Sequence, residues 1–295
     1  MPVSSVGKCR PPAERGRNHK LPLGPPATLP YQQLQERHQE DVLEERLKSR
    51  GRTVWAQNIL CLILNESHRN GTGGKSTYDQ APFLDYNLRN LDLSQLPSPR
   101  VLMAHLPYHL IPKGLKEGKG KIIYVYRNPK DAMVSLYHYS SFAQTSADLE
   151  EYMQRYLAGK VVCSSIFDHV KVWYSHKNEL DILFLSYEEM IKDLRGAVLK
   201  VCGFIGKQLS SQEVDKVVEM ATFENMKRDP RANNVVTAKE RFRRKDMPHL
   251  RKGTIGDWKN IMTVSQSERF DKVFQEKMKD IPLKFIWDIK ETKKP

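Results

Sequence analysis

The middle of the chain carries short apolar runs that each end at a polar break. Residues 100–105 read RVLMAH, residues 121–129 read KIIYVYRNP and residues 181–190 read DILFLSYEEM. Such runs predict strands, and helical patterns follow them. Continuous apolar strands that alternate with helices are typical of a buried parallel sheet in an α/β fold. Ligands of these sheets gather at the carboxyl ends of the strands. The positions there are His105, Arg127 and Tyr187.

Helical patterns account for much of the remaining chain. Residues 54–65 are apolar almost throughout and predict a core-facing helix, whereas 31–50 predict a polar helix with a thin apolar line. Residues 192–205 and 210–226 predict two further helices, and another is expected to begin near Ser265. Residues 1–30 hold seven prolines and few apolar residues, so we expect them to be disordered or loosely attached.

Composition narrows the class of protein. No apolar run approaches the roughly 20 residues of a membrane span, and the first residues lack the apolar core of a secretory signal. The four cysteines lie far apart without metal-site spacing, which excludes a zinc or disulfide scaffold and favours the cytoplasm. A net charge of +13 favours an anionic partner, although a surplus that serves only solubility explains it equally.

Charged and hydroxyl side chains near the predicted strand ends are candidates for anion binding. Arg127 and Ser135 flank a helix start, where unpaired N–H groups favour phosphate. Arg251 and Lys252 precede Gly253, where the backbone can approach a ligand closely. His105 could serve as a general base. Taken singly, each position also fits a surface residue, a basic patch or a structural histidine.

Several motifs together resemble the cytosolic sulfotransferase family. YVYRNPKDAMVS, SYEEM, ATFENM and LRKGTIGDWKN occur in the family's order and spacing, and PYHLIPKGL and DPRAN are closest to its amine sulfotransferase branch. The match spans roughly Thr53 to Asp288, which makes 53–295 the sulfotransferase domain and leaves 1–52 as an atypical segment. The resemblance implies a three-layer α/β domain with a central parallel sheet, related to P-loop nucleotide kinases.

The resemblance also implies an activity and its residues. The expected reaction moves a sulfuryl group from 3′-phosphoadenosine 5′-phosphosulfate to an amine or hydroxyl of a small, mostly apolar acceptor, without metal, nucleic acid or membrane. His105 falls on the catalytic base. The 3′-phosphate ligands correspond to Arg127, Ser135, Arg251, Lys252 and Gly253, the adenine contacts to Trp55 and Phe223, and further nucleotide contacts to Tyr187 and Thr222. A homodimer motif corresponds to Lys259, Thr263, Val264 and Glu268. Weaker candidates for the acceptor pocket are Tyr108, Tyr139 and Phe142.

One stretch departs from the family. The family's 5′-phosphosulfate loop resembles TYPKSGTTW, whereas this chain reads ERLKSRGRTVW, so that Thr53 and Trp55 match but Lys48 aligns only with extra residues between. The first strand is replaced by charged, helical sequence. Losing a lysine that neutralises the leaving group would cost on the order of 3 kcal/mol in transition-state stabilisation. We therefore expect the first strand and this loop to be atypical or missing. Met103 also replaces a frequent lysine, as in the amine branch.

Two alternatives follow from the departure and from the charge. The first is a catalytically impaired family member that binds the nucleotide or a partner subunit without turnover. The second is a nucleic-acid-binding protein, but the chain lacks zinc-finger, RRM and KH signatures.

Overall fold

The computed structural model describes residues 53–85, 91–141, 148–161, 164–233 and 250–288. The helix predicted over 31–50, Lys48, Phe142 and the side chains of Thr53 and Tyr139 lie outside the described residues.

A two-stranded parallel sheet lies at the centre of the described chain. Strand β1 is Ile122–Tyr126 and strand β2 is Ile182–Ser186, paired in register from Ile122 with Ile182 to Tyr126 with Ser186. Both strands fall where the apolar runs predict them. Parallel pairing places the ends of both strands, and therefore Arg127 and Tyr187, at the same edge.

The prediction of a strand over 100–105 is wrong. This segment forms only an isolated parallel bridge between Met103 and Phe83. Met103 is buried, whereas Ala104 beside it is exposed. Proline bounds the segment at 99 and at 107, and proline cannot donate to a ladder, so the pairing does not extend.

Helices build most of the rest. The predicted helix over 210–226 is split, because the Thr222 hydroxyl accepts from the Asn225 N–H and starts a new helix there. Short 3₁₀ turns cover Leu93–Gln95, Tyr108–Leu110 and Asp257–Asn260. In the described chain, the α-helices in order are α1 Thr53–Leu64, α2 Glu66–Arg69, α3 Thr77–Gln80, α4 Lys113–Lys116, α5 Pro129–Ser141, α6 Leu149–Leu157, α7 Ile166–Ser175, α8 Tyr187–Lys192, α9 Leu194–Ile205, α10 Ser211–Met220, α11 Phe223–Arg228 and α12 Val264–Met278.

Successive residues of β1 contribute their side chains to two separate hydrophobic cores. Ile123 and Val125 of β1 face a cluster built with α1, α8, α9 and α10. Tyr124 faces a second cluster, which contains side chains of α5, α6, α7 and α12. Because successive strand side chains point to opposite faces, the sheet lies between two helical layers. This is the expected three-layer α/β arrangement. In the described residues, no helix is long and apolar enough to cross a membrane.

Candidate functional site

Arg127 follows β1 directly and is held on three sides. Its guanidinium carbon lies 4.3 Å from the centre of the Tyr187 ring, which starts the segment after β2. One terminal nitrogen donates to the Thr254 carbonyl at 2.8 Å and lies 3.3 Å from the Asp131 carboxylate. Its Nε is buried and has no hydrogen-bond partner within the described chain. The two predicted strand-end residues therefore stack on each other and reach the distant loop at 250–256.

Asp131 joins that loop to the start of α5. Its carboxylate accepts the backbone N–H of Gly256 at 2.8 Å and of Trp258 at 2.9 Å, and it also accepts from the Asn128 side chain. Asp131 is almost fully buried, so these charge-assisted hydrogen bonds form away from competing water. They fix the loop in front of Arg127.

Arg251 and Lys252 converge on one buried carboxylate, Asp257. The hydrogen bonds measure 2.5 Å from Arg251 and 2.6 Å from Lys252. Burial raises the pKa of Asp257, but hydrogen bonds from Lys252, Arg251 and Asn260 outweigh it and lower the pKa from 3.8 to about 2. The carboxylate therefore stays charged at neutral pH and holds both cations together.

Gly253 brings the same loop against the adenine-side residues predicted for the site. Its φ of +65° lies in the left-handed region, and a Cβ at this position would clash with the Phe223 ring. Phe223 begins α11, immediately after its cap Thr222. The structure thus places Thr222, Phe223 and Gly253 together.

Trp55 completes the aromatic side of the site. Its ring meets Tyr187 edge to face at 5.2 Å, and its Nε1 donates to the Ala221 carbonyl at 2.8 Å. Glu188, next to Tyr187, accepts the Asn128 N–H at 2.9 Å. Burial raises the pKa of Glu188. Helices α1, α8 and α11 therefore meet at the edge where Arg127 lies.

Ser135 and His138 lie one turn apart on α5. Both are half-buried. The pKa of His138 is lowered by burial and by the positive charge of Arg251, and raised more weakly by Asp257. This turn of α5, which carries Ser135, therefore lies beside the cationic loop.

His105 is oriented by Asp85, a residue that sequence reasoning missed. The Asp85 carboxylate accepts the His105 backbone N–H at 2.8 Å and lies 3.3 Å from its Nδ1, and the imidazole stacks on Phe83 at 5.4 Å. Twenty residues separate Asp85 and His105 without a local motif, so only the fold brings them together.

The residue after His105 is anchored to β1 through His169. The Leu106 carbonyl lies 3.2 Å from both Trp173 Nε1 and His169 Nε2. The other ring nitrogen of His169 lies 2.7 Å from the Tyr124 hydroxyl. Burial lowers the pKa of His169 and raises that of Tyr124. A neutral imidazole therefore donates from Nε2 to Leu106 and accepts the Tyr124 proton at Nδ1.

The residues predicted for the dimer motif lie at the start of α12 and just before it. Val264 is 76% exposed, and Glu268 is exposed on the same helix. Thr263 caps α12 through a reciprocal capping box with Gln266. Lys259 pairs with Asp288. No group of acidic, histidine or cysteine side chains with metal-site geometry occurs in the part of the chain that the structure describes.

Comparison with known proteins gives consistent relatives. A family model described as a sulfotransferase domain matches residues 49–282. Over 242 residues, covering 80% of both chains, the protein is 54% identical to an amine sulfotransferase of Oryctolagus cuniculus. It is 38% identical over 240 residues to a 3-beta-hydroxysteroid sulfotransferase of Cavia porcellus, covering 80% of this chain and 83% of the relative.

Solved structures with the same fold include two that contain PAP. Mouse sulfotransferase SULT7A1 complexed with PAP is 34% identical, with a TM-score of 0.57 over 64% of this chain and 69% of its own. Retinol dehydratase in complex with androsterone and the inactive cofactor PAP is 22% identical, with a TM-score of 0.69 over 79% of each chain, and supports the fold alone.

Proposed function

Because this chain belongs to the sulfotransferase family, we propose that its donor is 3′-phosphoadenosine 5′-phosphosulfate and its acceptor a small amine or hydroxyl compound. Membership makes the chain a sulfotransferase enzyme. The observation that carries the proposal is the convergence of Arg127, Arg251 and Lys252, from distant parts of the sequence, beside Trp55 and Phe223.

The proposal assigns separate residues to the 3′-phosphate and to the adenine of adenosine 3′,5′-bisphosphate. The 3′-phosphate would be held by Arg127, Ser135 and the Arg251–Gly253 run. The buried Nε of Arg127, which has no partner among the residues that the structure describes, leaves a donor to satisfy. The adenine would lie between Trp55 and Phe223, with Tyr187 and Thr222 as further contacts. The mouse relative was solved with PAP, which supports a nucleotide of this class.

His105 is the proposed general base. In this proposal, the Asp85 carboxylate accepts a hydrogen bond from the Nδ1–H of His105. This favours the tautomer in which Nε2 of His105 carries no proton and can accept one. His105 Nε2 takes the acceptor's N–H or O–H proton as the new bond to sulfur forms. The bond from sulfur to the bridging phosphate oxygen breaks, and adenosine 3′,5′-bisphosphate leaves. Asp85 acts through His105 and is a positioning residue.

An amine is the acceptor class that the relatives favour. The relative from Oryctolagus cuniculus, at 54% identity, carries the name amine sulfotransferase, whereas the 3-beta-hydroxysteroid sulfotransferase matches at 38%. The proposal therefore places amines ahead of steroids. It further includes a cytoplasmic homodimer formed through Lys259, Thr263, Val264 and Glu268, with Val264 supplying the exposed apolar contact.

The sequence before Thr53 favours a second candidate, a chain that binds nucleotide but turns over poorly. Here ERLKSRGR stands where the family has a TYPKSGT-like loop, and Lys48 is the residue proposed to serve the 5′-phosphosulfate end. Without a cation placed at the leaving group, the adenosine and 3′-phosphate end would still bind.

Nucleotide binding and sulfuryl transfer test the two candidates separately. We expect adenosine 3′,5′-bisphosphate to raise the melting temperature and labelled donor to sulfate an aromatic amine. H105A should lower the rate about 100-fold or more with nucleotide affinity kept, while H109A, at an exposed histidine, should retain activity.

Other outcomes of these measurements would favour the impaired candidate or exclude part of the proposal. Binding without transfer, with transfer restored in a chimera that carries TYPKSG before Thr53, supports the impaired candidate. Unchanged turnover in H105A removes His105 as the base. A wild-type chain that does not bind adenosine 3′,5′-bisphosphate overturns both candidates.

A further inference from the structure

The segment after α12, residues 281–288, lies across the end of β1. Here it is called the C-terminal segment. The Tyr126 hydroxyl donates to the Lys284 carbonyl at 3.3 Å, and the Phe285 ring meets the Tyr126 ring edge to face at 5.5 Å. Tyr126 is the last residue of β1, directly before Arg127. The C-terminal segment therefore contacts the strand end that carries a proposed phosphate ligand.

The same segment also contacts the loop that carries the other cations. The Trp287 carbonyl accepts from Trp258 Nε1 at 2.9 Å, and Asp288 pairs with Lys259. The Trp287 ring packs edge to face on Phe274 of α12 at 4.9 Å, which fixes the segment to the core. The C-terminal segment therefore holds the 3₁₀ turn Asp257–Asn260 through Trp258 and Lys259.

A buried lysine lies between these elements. Lys130 Nζ is 4.3 Å from the centre of the Trp258 ring and 5.5 Å from that of Trp287, and it donates to Ser267 and Asp271 of α12. Cation–π contacts of this kind strengthen when the cation is desolvated. Lys130 precedes Asp131, whose carboxylate holds the Trp258 N–H. Trp258 is thus fixed through its backbone by α5 and through its indole by the C-terminal segment.

We propose that the C-terminal segment positions the loop at 250–258 for recognition of the nucleotide 3′-phosphate, through the hydrogen bond from Trp258 Nε1 to the Trp287 carbonyl, which the Trp287 ring holds in place by packing on Phe274. This inference rests on the proposed function of the site. Asp257 lies between Gly256 and Trp258 and organises Arg251 and Lys252. Displacing Trp258 therefore moves the carboxylate on which both cations depend.

The adenine side provides an internal reference. Trp55 is held by the Ala221 carbonyl and by Tyr187, and neither contact involves the C-terminal segment. Phe223, the other proposed adenine contact, does touch Gly253 of the loop. A defect in the segment should therefore weaken ligands that carry a 3′-phosphate more strongly than ligands that lack it. A general loss of stability would weaken both equally.

The experiment compares W287A and D288N with wild type in binding adenosine 3′,5′-bisphosphate and adenosine 5′-monophosphate. W287A keeps the carbonyl that bonds Trp258 but removes the ring that packs on Phe274 and lies near Lys130. We expect W287A to weaken the bisphosphate about 10-fold, with a smaller loss in D288N, while the monophosphate changes less than 2-fold. The control F167L disturbs the same aromatic core, because the Phe167 ring meets the rings of Phe270 and Phe274, whereas no ring contact joins it to Phe285 or Trp287 in the described residues. It should leave the ratio of the two affinities unchanged.

Several other outcomes of this experiment would contradict the proposed role of the C-terminal segment. Equal weakening of both ligands, or no change in either, overturns it, as does a shifted ratio in F167L. If W287A does not fold, as judged by its thermal transition, D288N decides, because Asp288 touches the loop through an ion pair outside the aromatic core. If wild type binds neither ligand, the proposed function fails, a result distinct from an unchanged ratio.

Discussion

At the scale of single residues, buried carboxylates determine where the basic side chains point. Asp131 holds the loop backbone and approaches Arg127, and Asp257 gathers Arg251 and Lys252. Glu188 holds the turn after β1 through the Asn128 N–H. Each acid lies within the sequence motifs, but its role is visible only through contacts with distant segments. Basic residues alone therefore predict the ligand class, and the acids determine the arrangement.

Asp257 should make the protein sensitive to acid. Its pKa lies near 2 in the folded chain and 3.8 is the ordinary value, so its ion pairs stabilise the fold above pH 4 and are lost as the pH falls toward 2. We expect wild type to exceed D257N by about 2 kcal/mol in the free energy of unfolding at pH 7, with the difference shrinking below pH 4. Urea denaturation at several pH values measures it.

The exposed pair of Asp215 with Arg195 provides the control. D215N should lower the free energy of unfolding by less than about 1 kcal/mol, because both partners are largely solvated. A D257N difference that persists unchanged at pH 2 would contradict the assigned ion pairs.

At the scale of elements, β2 passes into α8 without a loop. The Ser186 hydroxyl accepts the Glu189 N–H at 3.0 Å, and the Glu189 carboxylate accepts the Ser186 N–H at 2.9 Å. This capping box lets the strand end and the helix begin at adjacent residues. The first helical residue is Tyr187, which therefore has a fixed position beneath Arg127.

Removing this cap should affect stability and binding together. S186A is expected to cost about 1 kcal/mol of unfolding free energy and to weaken adenosine 3′,5′-bisphosphate several-fold, because Tyr187 and Glu188 lie in the first turn. S210A removes an equivalent capping box on α10 and should cost similar stability with unchanged affinity. Chemical denaturation and calorimetric binding give both quantities. Equal affinities in the two variants would show that the cap does not position the site.

At the scale of the whole molecule, an exposed valine lies at the start of α12. Val264 is the first residue of that helix and is 76% exposed. A large apolar side chain this exposed is consistent with the proposed contact between two copies of the chain. Such a contact would form beside Lys259, which pairs with the C-terminal segment.

A single charge should separate the proposed homodimer. V264E places a carboxylate in the contact and should give a monomer in sedimentation analysis, with the fold kept because an acidic residue suits the first turn of a helix. L199E changes another exposed apolar residue, on α9, and should remain dimeric. A monomeric wild type, or a dimeric V264E, would exclude this interface.

The sequence predicted the architecture better than the connections. The two strands of the described residues consist mostly of aliphatic and aromatic side chains, lie between helices and bury residues toward both layers, so their apolar pattern is continuous. The segment at 100–105 has a similar pattern, but its flanking prolines restrict it to one bridge. Thr222 interrupts a helical pattern because its hydroxyl caps the helix that follows. In both places a local backbone requirement overrides hydrophobic periodicity.

Some residues of the candidate site are predictable from the sequence, whereas others are not. The sequence predicts Arg127, Tyr187, Arg251, Lys252 and Gly253 as site residues because they stand at strand ends or in a glycine loop and match family motifs. Asp85 was missed because its relation to His105 depends on a bridge between two irregular segments. A contact between segments without periodicity leaves no pattern in the sequence.

The close approach of Gly253 to Phe223 has a consequence for redesign of the chain. A bulkier ring at 223, introduced to accommodate another base, would push on the loop backbone, and any side chain at 253 would push on the ring. Base preference and phosphate preference therefore share one steric constraint. Substitutions that retune either preference would have to be selected in pairs.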